Sequence, residues 1–299
     1  MNSEEFRNEV LNSGISPANF DEIYNEYVKY QNIALDTLNE FHRICEKYGI
    51  DYQLAFGSLL GAIRDNGVIP WDYDIDVFVP YEQKDKLISV LNSHLSPNYY
   101  FTCPENNKNC NHYFMRISPR NFESWKLHID VYYLVGLPDN SDIRTDYLYL
   151  FQKYLNYRHK KNKDINSIPW NMVKTKIDSI FNKILLFPIS IKYVDKKINR
   201  LFSETSFKDS NLCYPTLNSY KGLIFNTCDM IKTKIITTSF GEYRVPTEYD
   251  KILRIVYNDY NKIFPLTFRL NEMINNYNIL TNNKIKFIGT NSKRRYYIE

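Results

Sequence analysis

The chain has 299 residues, 43% hydrophobic and 24% charged, with a formal net charge of +4. That apolar content supports the packed core of one large domain or two small ones and excludes a disordered chain. So small a positive charge lacks the clustered basic stripe of a nucleic-acid binder, so no nucleic-acid partner is expected, while polyanionic substrates or an anionic membrane remain compatible.

No run of about 18 apolar residues occurs, so no membrane span is expected. The polar, acidic start Met1-Asn2-Ser3-Glu4-Glu5-Phe6 does not read as a secretory signal. The five cysteines lack metal-ligand spacing. Their odd number favours free thiols in a reducing compartment over a Cys103–Cys110 pair, and a cytoplasmic protein is the default expectation.

In chain order, residues 1 to 19 read as an irregular or short helical start. A helix follows from Asp21 to Tyr48, with Leu38, Phe41 and Cys45 on one face, Asn19 or Asp21 as its cap and Gly49 as its stop. Ile50 to Phe56 reads as a short strand, Gly57-Ser58 as a turn, Leu59 to Arg64 as a short helix and Asp65-Asn66-Gly67 as a second turn. Trp71 to Val79 is then an acidic strand carrying Asp72, Asp74 and Asp76. A period of two puts alternate strand side chains on one face. Like charges so placed repel, and a divalent cation between them is the simplest remedy.

Tyr81 to His94 reads as a helix, and Tyr99 to Thr102 and Tyr113 to Ser118 as strands. Lys126 to Leu134 alternates as a strand, with Leu127, Ile129 and Val131 on one face and His128, Asp130 and Tyr132 on the other; Gly136-Leu137-Pro138-Asp139-Asn140 ends it. From Ile143 to Phe207 the chain is mostly helical and basic, interrupted by Pro188. Here Ile177, Ile180, Phe181, Ile184, Leu185 and Phe187 form an apolar stripe near Lys174, Lys176 and Lys183. A stretch of this kind, 171 to 200, is either a helix lying on a membrane or a core helix with solvated lysines. The core reading is favoured, because amphipathic helices mostly face cores. Residues 220 to 245 return to strand character around Gly222 and Gly241, Tyr249 to Tyr260 is helical with Pro265 after it, and the last thirty residues are polar and basic with few landmarks. With no internal repeat and no Pro-, Gly- or Ser-rich linker, residues 1–299 are expected to form one domain, its core about 20–140 and 211–265 and its helical insertion about 143–210.

The chemistry resides in a composite pattern. A Gly-Ser turn at a helix start lets backbone N–H groups approach a phosphate. Two acids one residue apart, Asp74 and Asp76, suit Mg²⁺, with Mn²⁺ as the alternative ion. A third acid on a later strand, Asp130, completes such a site and orients or deprotonates an attacking hydroxyl. Each signal alone is common in turns and surface strands; jointly, in this order, they point to metal-assisted phosphoryl transfer.

This order of Gly-Ser, Asp-apolar-Asp and a later lone acid resembles the nucleotidyltransferase superfamily of the polymerase-beta type. More closely, Phe56-Gly57-Ser58-Leu59-Leu60-Gly61-Ala62-Ile63-Arg64 with Ile69-Pro70-Trp71-Asp72-Tyr73-Asp74-Ile75-Asp76 resembles the LicD family, which includes fukutin and the fukutin-related protein. Leu127-His128-Ile129-Asp130-Val131 is similar to that family's third-acid strand. Ser239 to Pro246, with Tyr249 and Tyr257, is similar to its C-terminal block. Tyr73 departs from the pattern where bacterial members often carry a further Asp, which leaves the donor open.

The resemblance implies an α/β (α+β) fold, a nucleotidyltransferase-like mixed sheet flanked by helices. It also implies a phosphotransferase moving phosphocholine or an alditol phosphate from a CDP-linked donor to a glycan or glycolipid hydroxyl, as in polysaccharide or lipopolysaccharide modification. Asp74 and Asp76 would be metal ligands, Asp130 a third ligand or general base, and Asp72 a ligand, a partner of one, or a cap for the turn after Pro70. Gly57 and Ser58 would contact the donor phosphates. Arg64 would pair with the pyrophosphate or with Asp65 or Asp72. Trp71 would stack on cytosine or, as the favoured reading, pack in the core. Arg116 and Lys126 would hold the leaving nucleotide or sit on a solvated face. His128 would share proton work or hydrogen-bond Asp130, and tyrosines would cage a choline headgroup. The alternatives are a metal-dependent glycosyltransferase using a nucleotide sugar and a catalytically inactive binding module of the same fold. Peripheral contact with a membrane stays open.

Overall fold

A computed structural model describes residues 1–17, 19–163, 172–217, 223–282 and 285. The first helix, α1 (Ser3–Asn12), closes with a capping box: Asn2 accepts the Glu5 N–H and Glu5 accepts the Asn2 N–H. Next come α2 (Phe20–Tyr48), β1 (Gln53–Leu54), α3 (Phe56–Leu60), a π-helical turn over Gly61–Asp65 and β2 (Ile75–Pro80). They are followed by α4 (Lys84–His94), β3 (Tyr99–Thr102), β4 (Met115–Pro119), β5 (Ile129–Leu137), α5 (Ser141–Asn162), α6 (Val173–Leu185) and α7 (Ile191–Ser203). The chain continues through β6 (Leu212–Pro215), β7 (Phe225–Asn226), α8 (Thr227–Ile231), β8 (Thr233–Thr238), β9 (Gly241–Pro246), α9 (Tyr249–Tyr257) and α10 (Leu266–Thr281).

The main sheet is mixed, in the order β1-β2-β5-β4-β3, with β6 and β7 added on the C-terminal half of β5. Strand β5 is the axis. It runs parallel to β2 and antiparallel to β4 and β6. Ile129, Val131, Val135 and Leu137 of β5 are fully buried, as a strand flanked on both sides requires. Helix α2 packs across β2, β4 and β5 and contributes Tyr27, Leu38, Phe41 and Ile44 to the core. This mixed sheet flanked by helices is the α/β class expected from the sequence. Strands β8 and β9 form a separate hairpin, joined to the π turn by the Ser239 N–H donating to Asn66 O at 3.0 Å and to α2 by a two-pronged Arg244–Glu46 ion pair.

Several boundaries differ from the sequence expectation. The acidic strand begins at Ile75, not Trp71, so Asp72 and Asp74 lie in the turn ahead of it. Asp72 causes this: its Oδ1 accepts the Asp74 N–H at 3.2 Å, a local bond that competes with ladder pairing. The strand around 50–56 shrinks to two residues, because Phe56 turns into α3 with φ +42°. Strand β5 begins at Ile129, not Lys126, and ends at Leu137 inside the expected stop 136–140, with Gly136 as its penultimate residue. Gly136 lies against the Ser206 backbone, where a side chain would have no room. Asn19 caps no N–H of α2 with its side chain; Gly49 does end that helix, in the left-handed region at φ +61°.

Helix α10 was hidden by its asparagines, which are poor helix formers, although Leu270, Met273, Ile274, Tyr277 and Leu280 are buried on one side. The largest correction concerns α6. Its apolar stripe is not core: Phe181, Ile184 and Phe187 are 64, 68 and 83% exposed. All five cysteines are free. Among the described residues no helix is long and apolar enough to cross a membrane. The expectation around Gly222, and most of that for the final residues, falls outside the described residues.

The π turn folds back on the segment leading to the acids. The Gly67 N–H donates to Gly61 O at 3.1 Å, and a Cβ on Gly61 would meet Gly67 O at 2.6 Å and Ile69 N at 3.0 Å. Both are backbone atoms and cannot step aside. Gly61→Ala is therefore expected to destabilise the protein by about 1–3 kcal/mol in urea unfolding; unchanged stability would refute this close packing.

Candidate active site

The register of three strands builds the centre. Across the parallel β2–β5 pair Asp76 stands beside Asp130, and across the antiparallel β4–β5 pair Arg116 stands beside Asp130. Neighbours in register point to the same face of a sheet. The result is a row of one guanidinium and two carboxyls, Arg116–Asp130–Asp76. The Arg116 Nε–H donates to Asp130 Oδ1 at 2.9 Å, His128 Nε2 lies 3.3 Å from the same oxygen, and the Tyr132 hydroxyl donates to Asp130 Oδ2 at 3.1 Å. Burial would raise the Asp130 carboxyl, but His128 and Arg116 outweigh it and hold it at about 2.

Asp76 has the opposite fate. Burial, then Asp130, Asp74 and Asp72, push its carboxyl well above the usual range. Asp72 is pushed to about 7, first by burial and then by Asp74. The fold thus gathers four carboxyls against one guanidinium and one imidazole, and part of the cluster holds protons because the negative charge is not balanced.

The supports come from distant parts of the chain. Ser58 Oγ accepts the Asp76 N–H at 2.8 Å, which ties α3 to the first turn of β2. Gly57 makes room for Asp72: a Cβ there would sit 2.9 Å from Asp72 Oδ2. Gln31 of α2, buried, donates from Nε2 to Asp72 O at 2.6 Å and Ile69 O at 3.1 Å, and Asn276 of α10 donates to Trp71 O at 3.1 Å. These clamps explain why the turn keeps its shape despite the repulsion. Gln31 and Asn276 carry no motif, so sequence reading had no means of finding them.

Below the acids on the same face lies an aromatic wall. Phe56 packs on Phe78 and Tyr132 with centroids 5.0 and 5.5 Å apart, Phe114 meets Tyr132 at 4.5 Å, and His112 stacks on Phe114 at 4.1 Å. Arg116 also lies over the Phe114 ring, 5.5 Å from its centroid. Phe56, a bulky residue at positive φ, stores backbone strain at this point. Burial pushes His112 down to about 4, with Arg116 adding to the effect, so its ring is neutral and its Nδ1–H donates to Phe114 O at 2.8 Å.

Asp72, Asp74, Asp76, Asp130, Gly57, Ser58 and Arg116 are therefore brought together. The other expected site residues are engaged elsewhere. Arg64 grips Asp65 with two hydrogen bonds at 2.9 and 2.7 Å, and the Met1 ammonium shares that carboxylate. Trp71 packs in the core, its ring centroid 5.4 Å from that of Phe6, with the Arg269 guanidinium 5.2 Å from the Trp71 ring. The Lys126 ammonium lies over the half-exposed Trp125 ring.

For a divalent cation the donors are chemically apt. They are hard carboxylate oxygens whose repulsion a cation relieves, as the raised Asp76 and Asp72 carboxyls indicate. Asp74 and Asp76 are the residues that would hold it. Both Asp130 oxygens already accept hydrogen bonds, and among the described residues no three His, Cys, Asp or Glu side chains converge at ligand distance.

Comparison with known proteins gives this geometry a context. Residues 49–190 match the nucleotidyltransferase domain of the LicD/FKTN/FKRP family, just under half the chain. The lipopolysaccharide cholinephosphotransferase LicD of Haemophilus influenzae is 45% identical over 60 residues, 20% of this chain and 23% of that protein. Ribitol 5-phosphate transferase FKRP of Homo sapiens is 49% identical over 39 residues, 13% of this chain and 8% of that protein. An uncharacterized protein of Rickettsia prowazekii is 35% identical over 54 residues, 18% of this chain and 20% of that protein. The aligned stretches thus span less than a quarter of each relative's own length. The C-terminal segment 239–246 lies outside the family match.

The charge imbalance has a measurable sign. Asp72 and Asp76 bind protons more tightly in the folded state than in the unfolded chain, so their contribution to stability is present below the ordinary carboxyl range, near pH 4, and is lost as pH rises; for Asp72 that loss runs to about pH 7. Asp130 acts in reverse, its contribution being lost only as pH falls toward about 2. In chelator, unfolding stability should fall by about 2–4 kcal/mol between pH 5 and 8. Asp72→Asn should reduce that fall, leaving the part that Asp76 contributes, and saturating Mn²⁺ should flatten it. A profile already flat without the ion would show that the carboxyls do not repel as described.

Proposed function

This chain belongs to the LicD/fukutin-related family, and we propose that it is a Mg²⁺-dependent phosphotransferase moving phosphocholine or an alditol phosphate from a CDP-linked donor to a hydroxyl of a cell-surface glycan or glycolipid. The observation that carries the reading is the Arg116–Asp130–Asp76 row with Asp72 and Asp74 at its mouth. Two relatives support the class of group moved: one is named a cholinephosphotransferase and the other a ribitol 5-phosphate transferase.

In the proposed reaction the acceptor hydroxyl attacks the phosphorus bearing the headgroup. The bond from that phosphorus to the bridging oxygen of the pyrophosphate breaks, CMP leaves, and the hydroxyl proton passes to a carboxylate. Asp74 and Asp76 would hold a divalent cation, which when bound would supply charge neutralisation at the donor phosphates. Asp130, held at about 2, is a weak base; its part is to keep Arg116 aimed at the leaving phosphate and to fix Tyr132. Asp72, beside Asp74 with its approach left open by Gly57, is the carboxylate placed to take the hydroxyl proton. Ser58 holds the backbone of Asp76, and Gly57 leaves the approach to Asp72 open. The aromatic wall from Phe56 to His112 offers stacking surface beside the phosphate subsite.

Incubation with CDP-choline, CDP-ribitol or CDP-glycerol, Mg²⁺ and glycan acceptors should release CMP from one of the three donors. Asp76→Asn and Asp130→Asn should each lower turnover by about 100-fold or more with the fold retained. Asp72→Asn should lower kcat with the fold retained. CMP release unaffected by Asp76→Asn, or turnover only with a nucleotide-sugar donor, would discard the reading.

A further inference from the structure

Helix α6 is mounted with its polar side inward. The helix packs on α5; Ser179 and, just past its end, Leu186 are buried, the Ser179 hydroxyl donating to Thr175 O at 2.8 Å. The opposite side carries Ile177, Ile180, Phe181, Ile184, Leu185 and, just past the helix, Phe187, which range from 43 to 83% exposed. A soluble surface ordinarily scatters its apolar side chains singly; six along one face mark an interaction surface. The end of this ridge is held in place. Lys161 of α5 donates to the Leu186 carbonyl at 3.1 Å and also reaches that of Ile189, satisfying groups that a helix C-terminus leaves unpaired.

Charge selects the occupant. Residues 141–203 carry thirteen Lys and Arg against five Asp, a net +8, which leaves −4 for the rest of the chain. Lys174 and Lys183 stand exposed beside the ridge, and Asp178 is the single acid on α6. A second copy of the chain would bring two such basic segments face to face, so pairing on this ridge is opposed. An apolar ridge rimmed by lysines matches the acyl–headgroup boundary of an anionic bilayer. Thirteen residues make a helix of about 20 Å, too short to cross a hydrocarbon core of about 30 Å but suited to lying in its surface.

We propose that the α6 ridge, Ile177 to Phe187, docks the protein on an anionic lipid surface, with the flanking lysines at the headgroups. The test is co-sedimentation of the full chain with vesicles of phosphatidylcholine alone or with about 30% phosphatidylglycerol. Binding is expected to the anionic vesicles, falling severalfold as salt rises from about 0.1 to 0.5 M. The double variant Phe181→Ser, Phe187→Ser should lower the partition by about tenfold, and Lys174→Gln with Lys183→Gln should lower it severalfold on anionic vesicles alone. Both changes are at exposed positions, and an unchanged Tm checks that the fold is kept. Failure of the wild-type chain to bind anionic vesicles, or equal binding by the Phe variant, overturns the proposal. So does a dimer in solution that the Phe variant dissolves without any vesicle binding, which would assign the ridge to a second copy.

Discussion

The parallel pairing of β2 with β5 is the constraint on which the rest depends. It sets Asp76 beside Asp130, and the pairing of β5 with β4 sets Arg116 on the far side. A slip of one residue in either pair would turn the acids into the core and the valines outward. The apolar residues that flank each acid, Ile75 and Val77 on β2 and Ile129 and Val131 on β5, are all buried. Hydrophobic burial therefore fixes the register, and the register fixes the chemistry. The electrostatics alone would not choose this arrangement, since placing Asp76 next to Asp130 raises the energy of both ionised forms.

An arrangement that repels must be held from outside, and the holding groups are polar contacts to backbone. Ser58 fixes the Asp76 N–H, Gln31 fixes the carbonyls of Ile69 and Asp72, and Asn276 fixes that of Trp71. None of them neutralises charge. They restrain the main chain while leaving the carboxylates turned toward the site. This division, with packing and hydrogen bonds holding the backbone, leaves the side-chain charge of the carboxyl cluster unbalanced.

What the sequence made legible, and what it did not, follows from the range of each interaction. The acids, the Gly-Ser pair and the β5 alternation lie in short segments with period two, so their elements and faces could be read locally. The start of β2 was misread because Asp72 bonds within its own turn, a local competition that alternation does not reveal. Arg64 and Trp71 were ambiguous in sequence because each has a near partner and a distant one; Asp65, Phe6 and Arg269 decided the matter through tertiary packing. Gln31 and Asn276 act across 41 and 205 positions of chain, and no spacing rule reaches that far. Periodicity located the α6 stripe correctly but could not say which side faced inward; Ser179, on the side away from the stripe, is the buried one.

A line of contacts joins the helical layer to the face that carries the acids. Asp195 of α7 pairs with Arg158 of α5, which is fully buried and donates to the Cys110 carbonyl at 2.6 Å. Two residues on, His112 stacks against Phe114, and Arg116 lies over that ring before reaching Asp130. A buried guanidinium in such a position is costly to leave unpaired, so it holds α5, α7 and the loop before β4 in one relative placement. Helix α6 is docked on α5 and held at its C-terminal end by Lys161. The orientation of the exposed ridge is thereby fixed with respect to the aromatic wall and the acids, so that whatever surface covers the ridge is presented to the site at one angle and not over a range of angles.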